Sequence, residues 1–135
     1  MNQLKVAIVG GDLRFVRLAQ ILIHKGYHVA VYGLCHPDIP KTVTVCASVS
    51  ELRYYPYIIG PIPFTKDGKC VYTPMCNAYL SIEQFFLAAS NSYVLGSVLN
   101  PDMRQLFEKH HINYCDMMDL DKIAILNAIP TQMRI

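Results

Sequence analysis

The sequence predicts an α/β domain in three layers, a mostly parallel sheet with helices on both faces. Three observations carry this. Short apolar runs rich in β-branched residues alternate with runs of helical period along the chain, and Gly, Pro or Asn marks the switches between them. The first apolar run, Lys5–Val9, feeds a turn at Gly10 and Gly11 that opens directly into the helical pattern of Phe15, Val16, Leu18, Ala19 and Leu22. Finally, 135 residues of which 53% are hydrophobic suffice for one core and are too few for two. Strands joined through helices run parallel with right-handed crossovers, and a chain that begins strand, glycine turn, helix is flavodoxin-like or Rossmann-like.

The remaining elements follow in order. The first helix reaches about Lys25, where Gly26 is a natural C-terminal cap, and leads into a strand at His28–Tyr32. Pro37 and Pro40 mark a loop, and the β-branched residues 42–46 predict a short strand. Residues 48–52 read as one helical turn and 55–60 as an apolar strand, from which Pro61, Ile62 and Pro63 force an extended exit. Asp67-Gly68 places a turn, with Val71 and Tyr72 beyond it as a short extended arm. Ser81 caps a helix over 82–89, and Tyr93–Gly96 is a strand. Asn100 and Pro101 start a helix that runs to His111; a strand at 112–116 and a last element from 122 to 127 complete the pattern.

The glycine turn has chemical content. Backbone N–H groups at a helix N-terminus bind anions, and nucleotide folds begin this way for that reason. The dinucleotide fingerprint needs glycine at its first, third and sixth positions, and counted from Gly10 these positions hold Gly10, Asp12 and Phe15. A carboxylate at Asp12 also opposes a phosphate at the helix start. The second strand runs into Gly33 and Leu34 without an acid to hold a ribose hydroxyl. No dinucleotide cofactor is expected on this chain.

Composition narrows the partners. A net charge of +2 without a basic cluster gives no footprint for nucleic acid. Met1 is followed by polar Asn2 and Gln3, and no apolar run approaches the ~18 residues that cross a bilayer, so a cytoplasmic protein without a membrane partner is expected. Cys35, Cys46, Cys70, Cys76 and Cys115 show no CxxC spacing, and His24, His28, His36, His110 and His111 no ligand spacing. The expectation is five reduced cysteines and no metal site.

In open parallel sheets, ligands bind beyond the carboxyl ends of the strands. Here those ends carry Gly10, Gly11, Asp12, Leu13 and Arg14, then Tyr32 to Leu34, then Gly60, Pro61, Ile62 and Pro63, then Gly96 and Ser97, then Asn127 to Thr131. Arg14 with the free amides of the glycine turn suits a small carboxylate, Asp12 serving as helix cap or as the partner that orients Arg14. The alternative is a cap and a solvated arginine with no ligand.

Taken in order, the glycine turn and its helix, His28–Tyr32 with Gly33, the Gly60 to Pro63 segment with Asp67-Gly68, and residues 123–131 resemble the N-terminal domain of the dipicolinate synthase A-subunit family. The resemblance implies a flavodoxin-like first domain built as in D-2-hydroxyacid dehydrogenases, a following Rossmann domain that binds NADP, and a substrate cleft between them. It also implies an oxidoreductase that makes dipicolinate from a lysine-pathway dihydrodipicolinate precursor in the mother cell of a sporulating bacterium, together with a flavoprotein-like B-subunit. The substrate is then a small dicarboxylate, and its expected contacts are Gly10, Gly11, Asp12, Leu13, Arg14, Pro61, Pro63, Asn127 and Thr131. In the family, the segment matching Asn127 to Thr131 continues into a helix that joins the NADP domain, whereas this chain ends at Ile135. The expectation is therefore a single domain over 1–135, inactive alone, with an apolar stripe on a terminal helix that favours a homodimer. A non-catalytic domain that senses a small anionic metabolite is the alternative, and a phosphorylated receiver domain a weaker one.

Overall fold

The strands begin where both faces must be apolar. In the computed structural model, which describes residues 4–77, 79–97 and 99–116, β1 is Lys5–Val9 and its side chains alternate between two cores. Val6 and Ile8 pack on one side of the sheet with Phe15, Val16, Ala19 and Leu22 of α1 (Leu13–His24). Ala7 and Val9 pack on the other with Phe85 and Phe86 of α2 (Ile82–Ala88) and with Met103 and Phe107 of α3 (Pro101–Lys109). A strand buried on both faces reads as a continuous apolar run, which is why its pattern is visible in the sequence.

β2 is His28–Tyr32, β3 Thr44–Val45, β4 Tyr57–Ile59, β5 Tyr93–Gly96 and β6 Asn113–Asp116. All pair in parallel, in a 6-stranded sheet ordered β3-β2-β1-β4-β5-β6. That is the doubly wound Rossmann order. Without the two-residue edge strand β3, the remaining five strands follow the flavodoxin order, so both halves of the sequence reading hold. Right-handed crossovers that leave β1 in opposite directions fall on opposite faces, giving the three layers.

Local signals explain the boundaries. Asp12 caps α1 by accepting from the Arg14 N–H at 3.0 Å. The helix ends in a paired cap, Gly26 N–H to the Ile23 carbonyl at 3.0 Å and Tyr27 N–H to the Leu22 carbonyl at 3.1 Å, with Gly26 at φ +92° where a Cβ is disfavoured. Ser81 accepts from the Gln84 N–H at 3.1 Å to start α2, and Asn100 accepts from the Met103 N–H at 2.9 Å to start α3. Several expectations were too long. The strand at 42–46 pairs only at Thr44 and Val45, against Ala30 and Val31. The turn at 48–52 is a 3₁₀ helix over Val49–Tyr54 whose end takes Tyr55, since the Tyr55 N–H donates to the Leu52 carbonyl at 3.0 Å, so β4 starts only at Tyr57. The third helix stops at Lys109, because His111 adopts a left-handed φ of 56°. The last element at 122–127 lies outside the described residues.

One expectation is overturned. Cys35 and Cys76 are joined in a disulfide, with Cα atoms 5.4 Å apart across 41 residues, while Cys46, Cys70 and Cys115 are free. Sequence spacing carries no trace of a pair brought together by a long excursion of the chain. Among the described residues, no helix is long and apolar enough to cross a membrane, and no group of three or more His, Cys, Asp or Glu is placed to hold a metal ion.

Candidate binding site at the switch point of the sheet

The strand order reverses between β1 and β4, and crevices form at such points. The glycine turn leaves β1 there, with Gly10 at φ +65° and Gly11 at φ +97°, conformations open to glycine at little cost. Asp12 and Arg14 follow on the first turn of α1. The guanidinium meets the carboxylate side-on, Nε to Oδ1 at 3.0 Å and Nη2 to Oδ2 at 3.0 Å. The Nη2 group also donates to the Ile62 carbonyl at 3.2 Å, which ties the exit of β4 to the start of α1. Two distant segments expected at the strand ends are therefore joined directly. The hydrogen bonds from Arg14 hold the Asp12 carboxyl below the usual carboxylate range, and the same pairing raises Arg14 further. Both roles considered for Asp12, cap and orienting partner, are filled by one carboxylate.

The structure narrows the expected contacts. The Gly10 N–H donates to the Tyr32 carbonyl at 2.8 Å and the Gly11 N–H to the Tyr72 carbonyl at 3.2 Å, so neither is free for an anion. The Asp12 amide faces its own carboxylate, and no hydrogen bond among the described residues uses the Leu13 amide. Pro61 is buried and Pro63 half-buried, so the backbone carbonyl between them, and not a proline ring, reaches Arg14. Asn127 and Thr131 lie outside the described residues.

What the sequence reading missed is the chain that covers the turn. After β4, residues 61–77 fold back over the carboxyl ends of β1 and β2. A Cβ on Gly10 would collide with the Tyr72 carbonyl oxygen, and one on Gly33 would come within 2.9 Å of the Thr73 methyl carbon. Lys66 lies over the Tyr72 ring at 4.6 Å, and the Arg14 guanidinium lies 5.8 Å from the centre of the Phe15 ring. No periodic signal marks these residues; the Asp67-Gly68 turn shows only that the segment doubles back. Arg14 and Asp12 remain exposed at 62% and 38% of their side chains, so the site is an open wall. Two surface hollows of about 250 and 310 Å³ lie elsewhere, one between Arg53 and Leu87 and one beside Tyr27 and His28.

A second charged group at the strand ends is structural. Buried Asp116, at the end of β6, accepts from the Leu99 N–H at 2.9 Å and from Arg104 Nη2 at 2.8 Å, while Arg104 Nε donates to the Leu99 carbonyl at 3.0 Å. This pairing fixes the connection from β5 to α3.

A doubly wound sheet with an arginine held at its switch point defines an α/β domain of the Rossmann type with a candidate small-anion site. Its kinship is more specific. Residues 5–118 match the family model described as the N-terminal domain of the dipicolinate synthase A-subunit, and the chain belongs to that family. It is 23% identical over 135 residues to the dipicolinate synthase A-subunit of Bacillus subtilis (strain 168), covering 97% of this chain and 46% of that protein. The crystal structure of the dipicolinate synthase A chain from Bacillus subtilis superposes with a TM-score of 0.74 at 20% identity, over 97% of this chain and 45% of that one. The A-subunit from Bacillus halodurans gives 0.72 at 24% identity, over 95% and 45%. The chain thus spans just under half the length of these relatives, and the superpositions establish the fold.

Proposed function

We propose that this chain is the substrate-side domain of a dipicolinate synthase A-subunit, in which Arg14 holds one carboxylate of a pyridine-type dicarboxylate. The observation that carries the reading is the fork between Arg14 and Asp12 at the switch point. It fixes the guanidinium before any ligand arrives, so less side-chain entropy is lost on binding. The Leu13 amide sits at the same helix start and adds a donor, while Gly10 and Gly11 shape the turn. Lys66 adds a positive charge over Tyr72, whose carbonyl covers the glycine turn. Pro61 and Pro63 set the path that delivers the Ile62 carbonyl to Arg14.

The turn itself takes no dinucleotide in this account, because Asp12 and Phe15 stand at fingerprint positions and the Tyr72 carbonyl uses the Gly11 amide. In this reading NADP would be held by a separate domain and would supply the hydride acceptor for a dihydropyridine-type precursor, while the residues of this domain bind and orient the substrate. An open wall suits one side of a two-walled cleft. A flavoprotein-like B-subunit partner, a role in sporulation and a cytoplasmic mother-cell setting follow from the family in the same reading.

Steady-state kinetics test it, with this domain joined to its nicotinamide domain and supplied with the B-subunit. Arg14→Ala is expected to lower kcat/KM for the precursor ten- to a hundredfold, the range of one charge-assisted hydrogen bond at about 1.5–3 kcal/mol. A value within about twofold of wild type rejects the assignment.

A further inference from the structure

The excursion over the glycine turn is held differently at its base and at its tip. At the base, the Tyr72 N–H donates to the Phe64 carbonyl at 2.9 Å, the Val71 N–H to the Leu80 carbonyl at 2.9 Å, and the Ile82 N–H to the Lys69 carbonyl at 3.0 Å. Phe64 anchors that base in the core, fully buried and edge-on to Phe85 and Phe107 at 5.3 and 5.4 Å. At the tip, residues 72–77 lie on the strand ends: the Tyr72 carbonyl takes the Gly11 N–H, and Thr73 rests against Gly33. Cys76 is bonded to Cys35, two residues past Gly33 on the chain leaving β2. Cys35 is exposed and Cys76 half-buried, so a small thiol or disulfide reaches the bond from solvent.

We propose that the Cys35–Cys76 pair is a redox latch, which when formed holds the tip of this excursion down on the Gly10 and Gly11 turn and when reduced lets the tip lift while the base stays zipped. The lifted state bares the Gly11 amide at the start of α1, and so alters the donors that face the switch-point crevice. Closing takes a low-molecular-weight disulfide. One cysteine thiolate attacks a sulfur of that disulfide and expels a small thiolate, leaving a mixed disulfide. The second cysteine thiolate then attacks the protein sulfur of the mixed disulfide and expels the other small thiolate. Two protein thiols are oxidised, one small disulfide is reduced to two thiols, and the two cysteine protons pass to the leaving thiolates. The latch concerns the cover of the turn and stands apart from which ligand the crevice takes.

Amide hydrogen exchange of the full chain, followed residue by residue by NMR in oxidised glutathione and again in dithiothreitol, reads the two states without any ligand. The Gly11 amide is expected to exchange at least tenfold faster in the reduced protein, with the Val71 and Ile82 amides unchanged. Cys76→Ser is expected to show the fast Gly11 rate in both solutions, and the wild-type comparison carries the test by itself where that variant does not fold. Equal Gly11 rates within twofold, five free thiols under the oxidant, or a parallel acceleration at Val71 and Ile82 would each overturn the latch, the last by showing a staple of the whole fold.

Discussion

Arg14 and Asp12 form a side-on fork in which one carboxylate serves two tasks, accepting the Arg14 backbone N–H at 3.0 Å and the guanidinium through Nε and Nη2 at 3.0 Å each. The first task belongs to the helix and the second to the site. Substitutions separate them.

Asp12→Asn keeps a side-chain oxygen at the cap and removes the charge, whereas Asp12→Ala removes both. Thermal or urea unfolding is expected to show Asp12→Asn within about 0.5 kcal/mol of wild type and Asp12→Ala about 1 kcal/mol below it. Asp12→Ala is expected to weaken dicarboxylate binding by freeing the guanidinium to rotate, and Asp12→Asn to do so less, since its amide oxygen still accepts one guanidinium N–H. Arg14→Lys keeps charge without the fork and is expected to bind nearly as poorly as Arg14→Ala. Because the Asp12 carboxyl is held below its usual range by the Arg14 hydrogen bonds, the fork is complete above an ordinary carboxylate pKa of about 4 and is lost as pH falls through the lowered folded value. The Arg14 Nε–H resonance followed downward in pH checks this.

The covered turn sets two glycines apart. Gly10→Ala meets both a left-handed φ of +65° and the Tyr72 carbonyl, while Gly68→Ala meets a φ of +76° with nothing within 4 Å. Urea unfolding is expected to place Gly68→Ala about 1 kcal/mol below wild type and Gly10→Ala about 3 kcal/mol or more below it. Equal losses at the two positions would show that Tyr72 does not press on the turn.

The contrast between these glycines also marks what is legible in the sequence. Lys5–Val9, His28–Tyr32 and Tyr93–Gly96 are read at their true bounds, because a parallel strand covered on both faces writes itself as an apolar run. The caps at Asp12, Gly26, Ser81 and Asn100 are readable because each acts within four residues. Strand-end logic alone places Arg14 and the exit of β4 at the site, and the Ile62 contact joins them. The cover of the turn is not readable. Gly11 and Tyr72 pair through backbone atoms, which no side-chain pattern encodes, and Cys35 meets Cys76 only because the excursion returns across the sheet.

The disulfide closes a long loop, and loop closure restrains the unfolded chain. For a separation of 41 residues the chain-entropy model gives about 4 kcal/mol as an upper figure. Cys35→Ser is expected to lower stability by up to about that amount in oxidising buffer, and to match wild type when both are measured with reductant. A loss that persists under reductant would assign Cys35 a packing role instead.

The loop that carries Lys66 is pinned by Asp67, whose carboxylate accepts the Cys70 N–H at 3.0 Å and the Lys69 N–H at 2.8 Å. These bonds, that from Cys70 first, bring its pKa down to about 2. Its contribution is fully present above the unfolded value near 4 and is lost as pH falls through about 2. A carboxyl carbon titration of Asp67 by NMR is expected to show the low midpoint, and Asp67→Asn to loosen residues 65–70 at every pH.

If the switch point takes a dicarboxylate through Arg14 and leaves nucleotides to another domain, the two ligand classes must part on this chain alone. NMR titration of the chain with pyridine-2,6-dicarboxylate, with NADP as the parallel ligand, tests that most directly. Saturable shifts of the Leu13 and Arg14 amides and the Arg14 Nε–H are expected with the dicarboxylate, together with their loss in Arg14→Ala and no saturable shift with NADP. Low-micromolar binding of NADP at the Gly10 and Gly11 turn, or dicarboxylate shifts that survive Arg14→Ala, would contradict it.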